Sequence, residues 1–311
     1  MLLVMMLVAD WRKIGPLYSL LLIVMLAPSV AACKRASEER SGFPANGSST
    51  LERMRQSGVA RVGYANEAPF AYYDTTTHQL TGEAPEVARY VLKQMGVPRI
   101  EGVLTEFGAL IPGLKARRFD IIAAGMYITP ARCRQIAFSE PTYGIGQAFI
   151  VKAGNPSNLH SYEDVAAHPT ARIGVVAGAI ELEYTRAVGI PYSRVMIFPD
   201  APSAVAGVEA GRIDAYAGTS PTIQNLLDKA GNRMIERAAP FTDPLIKRKR
   251  ARGYGAFGFR KEDSDLLQAF NGHLTTFIGS PQHHALVKRF GFTDADTPGE
   301  MTTAQLCALS D

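Results

Sequence analysis

The residues best suited to recognition chemistry are one arginine, one glutamate and three aromatic rings. Arg132, in Thr129-Pro130-Ala131-Arg132, carries a planar guanidinium whose paired donors match a carboxylate and whose charge survives at every physiological pH; lysine reproduces neither property. Its plain alternative is a surface arginine on a helix's first turn. Glu67 stands three positions before Phe70, so a carboxylate and a ring can meet one cation together, and its plain alternative is an exposed loop acid. Phe70, Phe107 and Tyr127 offer faces that attract a delocalised cation, each worth about 0.5–2 kcal/mol depending on desolvation. As isolated residues they are ordinary core packing. Ala177-Gly178-Ala179-Ile180 precedes a helical pattern, where backbone N–H groups of Gly178 or Ile180 favour an anion. Glu181, next in line, fits simply as favourable charge in a helix's first turn.

Other chemistries fail on spacing. The six histidines are scattered except for His283-His284, and adjacent helical residues point apart, so no metal site is expected. Gly253-Tyr254-Gly255-Ala256-Phe257-Gly258 matches a dinucleotide fingerprint, but its glycines alternate with apolar residues in a strand-like run and polar Arg260-Lys261-Glu262-Asp263 follows. The fingerprint needs a strand-to-helix turn, so no nucleotide cofactor is expected. Lys247 to Arg250 with Arg252 is basic without interleaved aromatics, a solvated loop rather than a nucleic-acid surface. The net charge of +4, from 33 basic and 29 acidic residues, gives no global nucleic-acid footprint.

These side chains need a scaffold, and 311 residues that are 47% hydrophobic suffice for two modest cores. Arg12 and Lys13, the apolar run Leu17 to Leu26 and small residues at Ser29, Ala31 and Ala32 read as an export signal over 1–32. The run is short of the roughly 20 residues of a membrane-spanning helix. A polar stretch over 33–50 suits a tether. From Leu51 onward strands alternate with helices: a strand at Val59–Tyr64, a helical period through Ala88, Val91, Leu92 and Met95, a helix from Leu110 and a strand from Asp120. The pattern restarts after Pro156 and returns at Gly253–Phe259. An α/β fold of two lobes is expected, each a mainly parallel sheet flanked by helices. Lobe 1 spans 51–151 and 253–311, and lobe 2 spans 152–252. Two crossings, near Ile150 to Gly154 and Arg250 to Gly253, make a hinge that can shut on a ligand.

The stretch LIPGLKARRFDIIAAGMYITPARCRQIAFSEP, Leu110 to Pro141, resembles the polar amino-acid-binding family of ABC-importer receptors, which shares LIPAL, FD, AGM, TPxR and FSxPY. The resemblance covers the chain from Leu51 to Phe292. It implies a type II periplasmic-binding-protein fold, Arg132 as the clamp on a ligand carboxylate, Gly125 as a point where ligand approaches backbone, and Phe70 and Phe107 on ligand-contacting loops. Val30-Ala31-Ala32-Cys33 resembles a bacterial lipobox, with Cys33 as lipid anchor; ordinary signal cleavage that leaves Cys33 free is the alternative. Cys133 and Cys307 then form an exported pair that either bonds or remains as two thiols.

Two departures narrow the cargo. Tyr127 stands where amino-acid receptors of the family commonly carry threonine. Thr219 stands where they typically carry the aspartate that binds an α-ammonium group. Together with the aromatic positions, these place the chain nearest the ectoine and hydroxyectoine receptors. Ectoine's ring amidinium would meet Glu67 among Phe70, Phe107 and Tyr127, and its carboxylate would meet Arg132. Implied partners are a small zwitterionic solute and an ABC permease, with no cofactor, no metal and no nucleic acid, in a monomer that is periplasmic or anchored by Cys33. Rival readings are a receptor for proline, another cyclic amino acid or a betaine, an exported enzyme like cyclohexadienyl dehydratase using Glu67 or Glu181 as acid, and a ligand sensor. The single tryptophan, Trp11, lies in the export signal, which excludes a tryptophan-built betaine cage.

Overall fold

The computed structural model describes residues 48–231 and 233–309. The export signal and Cys33 lie outside them. The expected tether ends sooner than residue 50, because Ser49 caps a helix over Thr50–Ser57 and shares a reciprocal capping box with Glu52. Two orphan N–H groups are thereby satisfied where the polar stretch stops.

Two sheets carry the fold. The first runs Arg99–Leu104, Val59–Tyr64, Ile121–Tyr127, Gly253–Phe259, Ala137–Phe138, with Tyr143–Ile145 also paired to Gly253–Phe259. The second runs Val195–Phe198, Ile173–Val176, Ala215–Thr219, Gln147–Lys152, Ile235–Arg237. In each, three neighbouring strands are parallel and the rest antiparallel. The sheets are therefore more mixed than the alternating pattern implied. Parallel neighbours need a crossover helix, and the strands that connect the two sheets have none.

The switch between sheets also comes earlier than residue 151. Gln147–Lys152 pairs with Ala215–Thr219, so the chain leaves the first sheet at Gly146. An unbroken apolar run from Gln147 to Val151 offers no alternation to show which sheet it joins. Gly146 is required there, since a Cβ would lie 2.7 Å from the Asp243 carboxylate. On the return path Lys247 and Arg248 take positive φ between paired strands Leu245–Ile246 and Lys249–Arg250, turning the basic run into an exposed hairpin.

Helix Glu83–Gln94 shows why the elements pack. It buries Ala84, Val87, Ala88, Val91 and Leu92, an apolar stripe at the helical period. Fully burying each of the larger side chains contributes about 1.5–3 kcal/mol. Helix Ser264–Phe277 buries Leu266, Phe270 and Leu274, and the Phe270 ring meets Phe257 at 4.9 Å and Phe259 at 5.3 Å. The C-terminal segment thus packs on the return strand of the first sheet. Cys133 and Cys307 are joined by a disulfide that ties helix Thr303–Ala308 to the turn bearing Arg132.

Candidate functional site

Five strands, three from one sheet and two from the other, end toward a common cavity. Strand ends are where open α/β sheets place ligands. Val59–Tyr64 leads to Glu67 and Phe70, and Arg99–Leu104 leads to Phe107. Ile121–Tyr127 supplies Gly125 and Tyr127 and leads to Arg132. From the second sheet, Ile173–Val176 leads to Ile180 and Glu181, and Ala215–Thr219 supplies Tyr216, Gly218 and Thr219.

Arg132 is held by its own turn. Thr129 caps that turn by accepting from the Arg132 N–H. The guanidinium is buried, donating from Nη1 to the Tyr127 carbonyl at 2.7 Å and from Nη2 to the Gly178 carbonyl at 2.9 Å. It also sits over the Phe107 ring, 5.7 Å from its centroid. Burial pulls its pKa below the ordinary value, and nearby Glu183 and Glu181 oppose that shift. Five donors leave capacity for a carboxylate beyond these two bonds.

Acids occupy the rest of the wall. Glu67 is half-buried, its Oε1 accepting from Thr222 Oγ1 at 2.7 Å. Desolvation raises its pKa, and the Thr222 hydrogen bond works the other way. Glu181 is buried and pushed up to about 7, first by desolvation and further by Glu67, with its backbone N–H, Arg132 and Gln147 opposing. The Gln147 amide, turned so that Nε2 faces the acid, donates to Glu181 Oε1 at 2.8 Å. Below about pH 7 Glu181 therefore tends to keep its proton, which lowers the negative charge in the cavity.

Glycines make room for the rings. Gly125, at φ +65, would place a Cβ 2.6 Å from Phe70 Cδ1. Gly253 and Gly255, from the apparent dinucleotide fingerprint, lie in a strand, where a Cβ would come within 1.7 Å of Tyr127 and 2.1 Å of Tyr143. Gly253→Ala is expected to displace the Tyr127 ring, destabilising the protein by about 1–3 kcal/mol and weakening ligand binding. Denaturant midpoints and calorimetry check this, and wild-type values in both would contradict it. The Tyr127 hydroxyl is buried without a hydrogen-bond partner among the described residues. Such a group costs about 1–3 kcal/mol unless something satisfies it, so it is ready for a ligand atom.

All the sequence-selected residues except Gly178 line the cavity. Gly178, expected to offer an N–H, instead turns its carbonyl to Arg132. At φ +75 it packs on Gly108, where a Cβ would approach Gly108 Cα to 2.7 Å, so the two loops meet backbone to backbone. Thr219 uses its hydroxyl to cap helix Ser220–Ala230. Tyr216 escaped the sequence reading. Ala215, Tyr216 and Ala217 are all buried, so no polar alternation marked the face toward the cavity. Among the described residues no group of His, Cys, Asp and Glu could hold a metal ion.

The model for bacterial extracellular solute-binding proteins, family 3, matches residues 60–293. The chain belongs to that family. A probable amino-acid ABC transporter periplasmic-binding protein of Sinorhizobium fredii is 38% identical over 266 residues, 84% of this chain and 87% of the relative. The L-cystine-binding protein of Bacillus subtilis is 24% identical over 256 residues, 82% and 89% of the two chains. Among solved structures, EhuB in complex with hydroxyectoine superposes with a TM-score of 0.76 at 34% identity, covering 84% of this chain and 98% of that one. An ancestral amino acid-binding protein, a precursor of cyclohexadienyl dehydratase, gives 0.67 at 27%, covering 78% and 99%. Membership confirms the α/β class and the two-lobed type II periplasmic-binding fold.

Proposed function

We propose that this chain is the extracytoplasmic receptor of an ABC importer for ectoine and 5-hydroxyectoine, which it holds between its lobes without breaking a bond. The observation that carries this reading is the opposition, within one small cavity, of Arg132 to Glu67 among Phe70, Phe107, Tyr127 and Tyr216. The ligand carboxylate takes the remaining guanidinium donors, the ring amidinium lies against aromatic faces with Glu67 as counter-ion, and the Tyr127 hydroxyl takes up one ligand polar atom. Thr219 in place of an aspartate removes the usual partner of an α-ammonium, whose burial unpaired would cost several kcal/mol. EhuB, solved in complex with hydroxyectoine, supports the same cargo. The permease partner, the Cys33 anchor and the monomeric state belong to this reading.

Calorimetric titration of mature protein with ectoine, hydroxyectoine, proline, glycine betaine and arginine tests it. Heat is expected from the two ectoines and little from the rest. Strong binding of arginine with none of ectoine would sink the cargo.

A second reading rests on Glu181. A buried carboxyl pushed up to about 7 keeps a share of its proton at neutral pH and is suited to general acid work, and one solved relative is a precursor of a dehydratase. That relative is itself an amino acid-binding protein, which favours binding over catalysis. Turnover of prephenate would move the chain to the enzyme class, and its absence retains the receptor.

A further inference from the structure

Thr222 is not part of the cavity wall, yet it touches the acid on which the cavity's polarity depends. Glu67 sits in the loop after a first-sheet strand, whereas Thr222 lies in the first turn of helix Ser220–Ala230, which follows a second-sheet strand. Thr222 is fully buried, at 0% exposure. Its Oγ1 donates to Glu67 Oε1 at 2.7 Å and accepts from Thr219 Oγ1 at 2.9 Å. Thr219 Oγ1 in turn accepts from the Thr222 N–H at 3.3 Å. A hydroxyl has one proton to donate. Given to Glu67, it marks Oε1 as an acceptor, in a residue that also lines the cavity.

We propose that Thr222, oriented by Thr219, is a positioning residue that links the two lobes and holds Glu67 as the cation-facing carboxylate of the cavity. The inference rests on Glu67 being the cation-binding group and extends that reading to the residue that keeps it so. Because threonine at 219 both accepts and donates, the single Thr222 proton is free for Glu67. An acceptor-only carboxylate at 219 would claim that proton. Glu67 would then lose its donor and gain an acidic neighbour, and would keep a proton of its own.

The other groups facing Glu67 do not supply this donor. Glu181 repels its charge, the Tyr143 hydroxyl donates to the Gly125 carbonyl at 2.9 Å, the Tyr127 hydroxyl is without a hydrogen-bond partner among the described residues, and Arg132 is bonded to two carbonyls. Desolvation favours protonated Glu67, and the Thr222 hydrogen bond is the opposing influence.

The test combines two measurements on mature protein. The first is NMR titration of ¹³C-labelled glutamate side chains without ligand, with Glu67→Gln assigning the resonance. The second is calorimetry with ectoine from about pH 5.5 to about pH 8.5. In Thr222→Val, which keeps the shape and loses the donor, Glu67 should titrate about one unit higher. Ectoine affinity at the acid end of the series should fall about tenfold and recover as pH rises, since one unit corresponds to a tenfold change in the ionised fraction where the acid is mostly protonated. Thr222→Ser should restore both. If Thr222→Val does not fold, Thr219→Val removes the relay from one position further away and should move the titration in the same direction. An unmoved Glu67 titration overturns the proposal, whether affinity is unchanged or falls equally at every pH, the latter being a packing effect. A shifted titration in a protein that takes no ectoine supports the role of Thr222 and removes the cargo instead.

Discussion

Arg132→Ala is expected to weaken ectoine binding by about 2–5 kcal/mol, a loss of roughly 30-fold to several thousandfold, because the ligand carboxylate is left buried without its cation. Arg132→Lys should recover little of it. An ammonium has three donors on one nitrogen, so it cannot bond the Tyr127 and Gly178 carbonyls and also present a parallel pair of donors to a carboxylate. Since the Gly178 bond joins the two lobes, the alanine variant should also close less readily. Calorimetry on both variants, with circular dichroism to show that each is folded, checks the expectation. Near-native affinity in Arg132→Ala would place the carboxylate elsewhere in the cavity.

Glu83→Gln is expected to stabilise the protein above neutral pH by about 3–5 kcal/mol and to leave it nearly unchanged near pH 4. Glu83 is 1% exposed and opens helix Glu83–Gln94, and neither carboxyl oxygen has a hydrogen bond of good geometry among the described residues. Desolvation pushes it up to about 8, with Thr142 opposing. The native state therefore keeps the proton over a range where the unfolded chain, titrating near 4.5, has lost it. Stability is fully present below about 4.5 and is lost as pH rises toward about 8. Glutamine cannot ionise and escapes that loss. His283, which lines a second small cavity together with Glu83, works in the opposite direction: burial lowers it to about 4. It stays neutral in the fold while the unfolded chain gains a proton, so its contribution falls as pH drops from 6.5 to about 4. Urea unfolding from pH 4 to pH 9 separates the two. A difference between wild type and Glu83→Gln that does not vary with pH would show that Glu83 is ionised in the native state.

The sequence by itself determined the class of fold and most of the cavity wall, because both are written in local pattern. The strand Val59–Tyr64 and the return strand Gly253–Phe259 were legible from β-branched and apolar runs, and the Thr129–Arg132 turn from its residue types. Tertiary structure decided whatever depends on one segment meeting another. Gln147–Lys152 joined the second sheet because its pairing partner lies far along the chain, and no local property of an apolar run reports that partner. Tyr216 reached the cavity, Gly178 turned its carbonyl to Arg132, and Thr222 met Glu67 for the same reason. The acidic ends of the cavity show the division most plainly. Glu67 and Glu181 are carboxylates in the sequence, but desolvation between two sheets sets how readily each keeps its proton, and that arises only when the lobes come together.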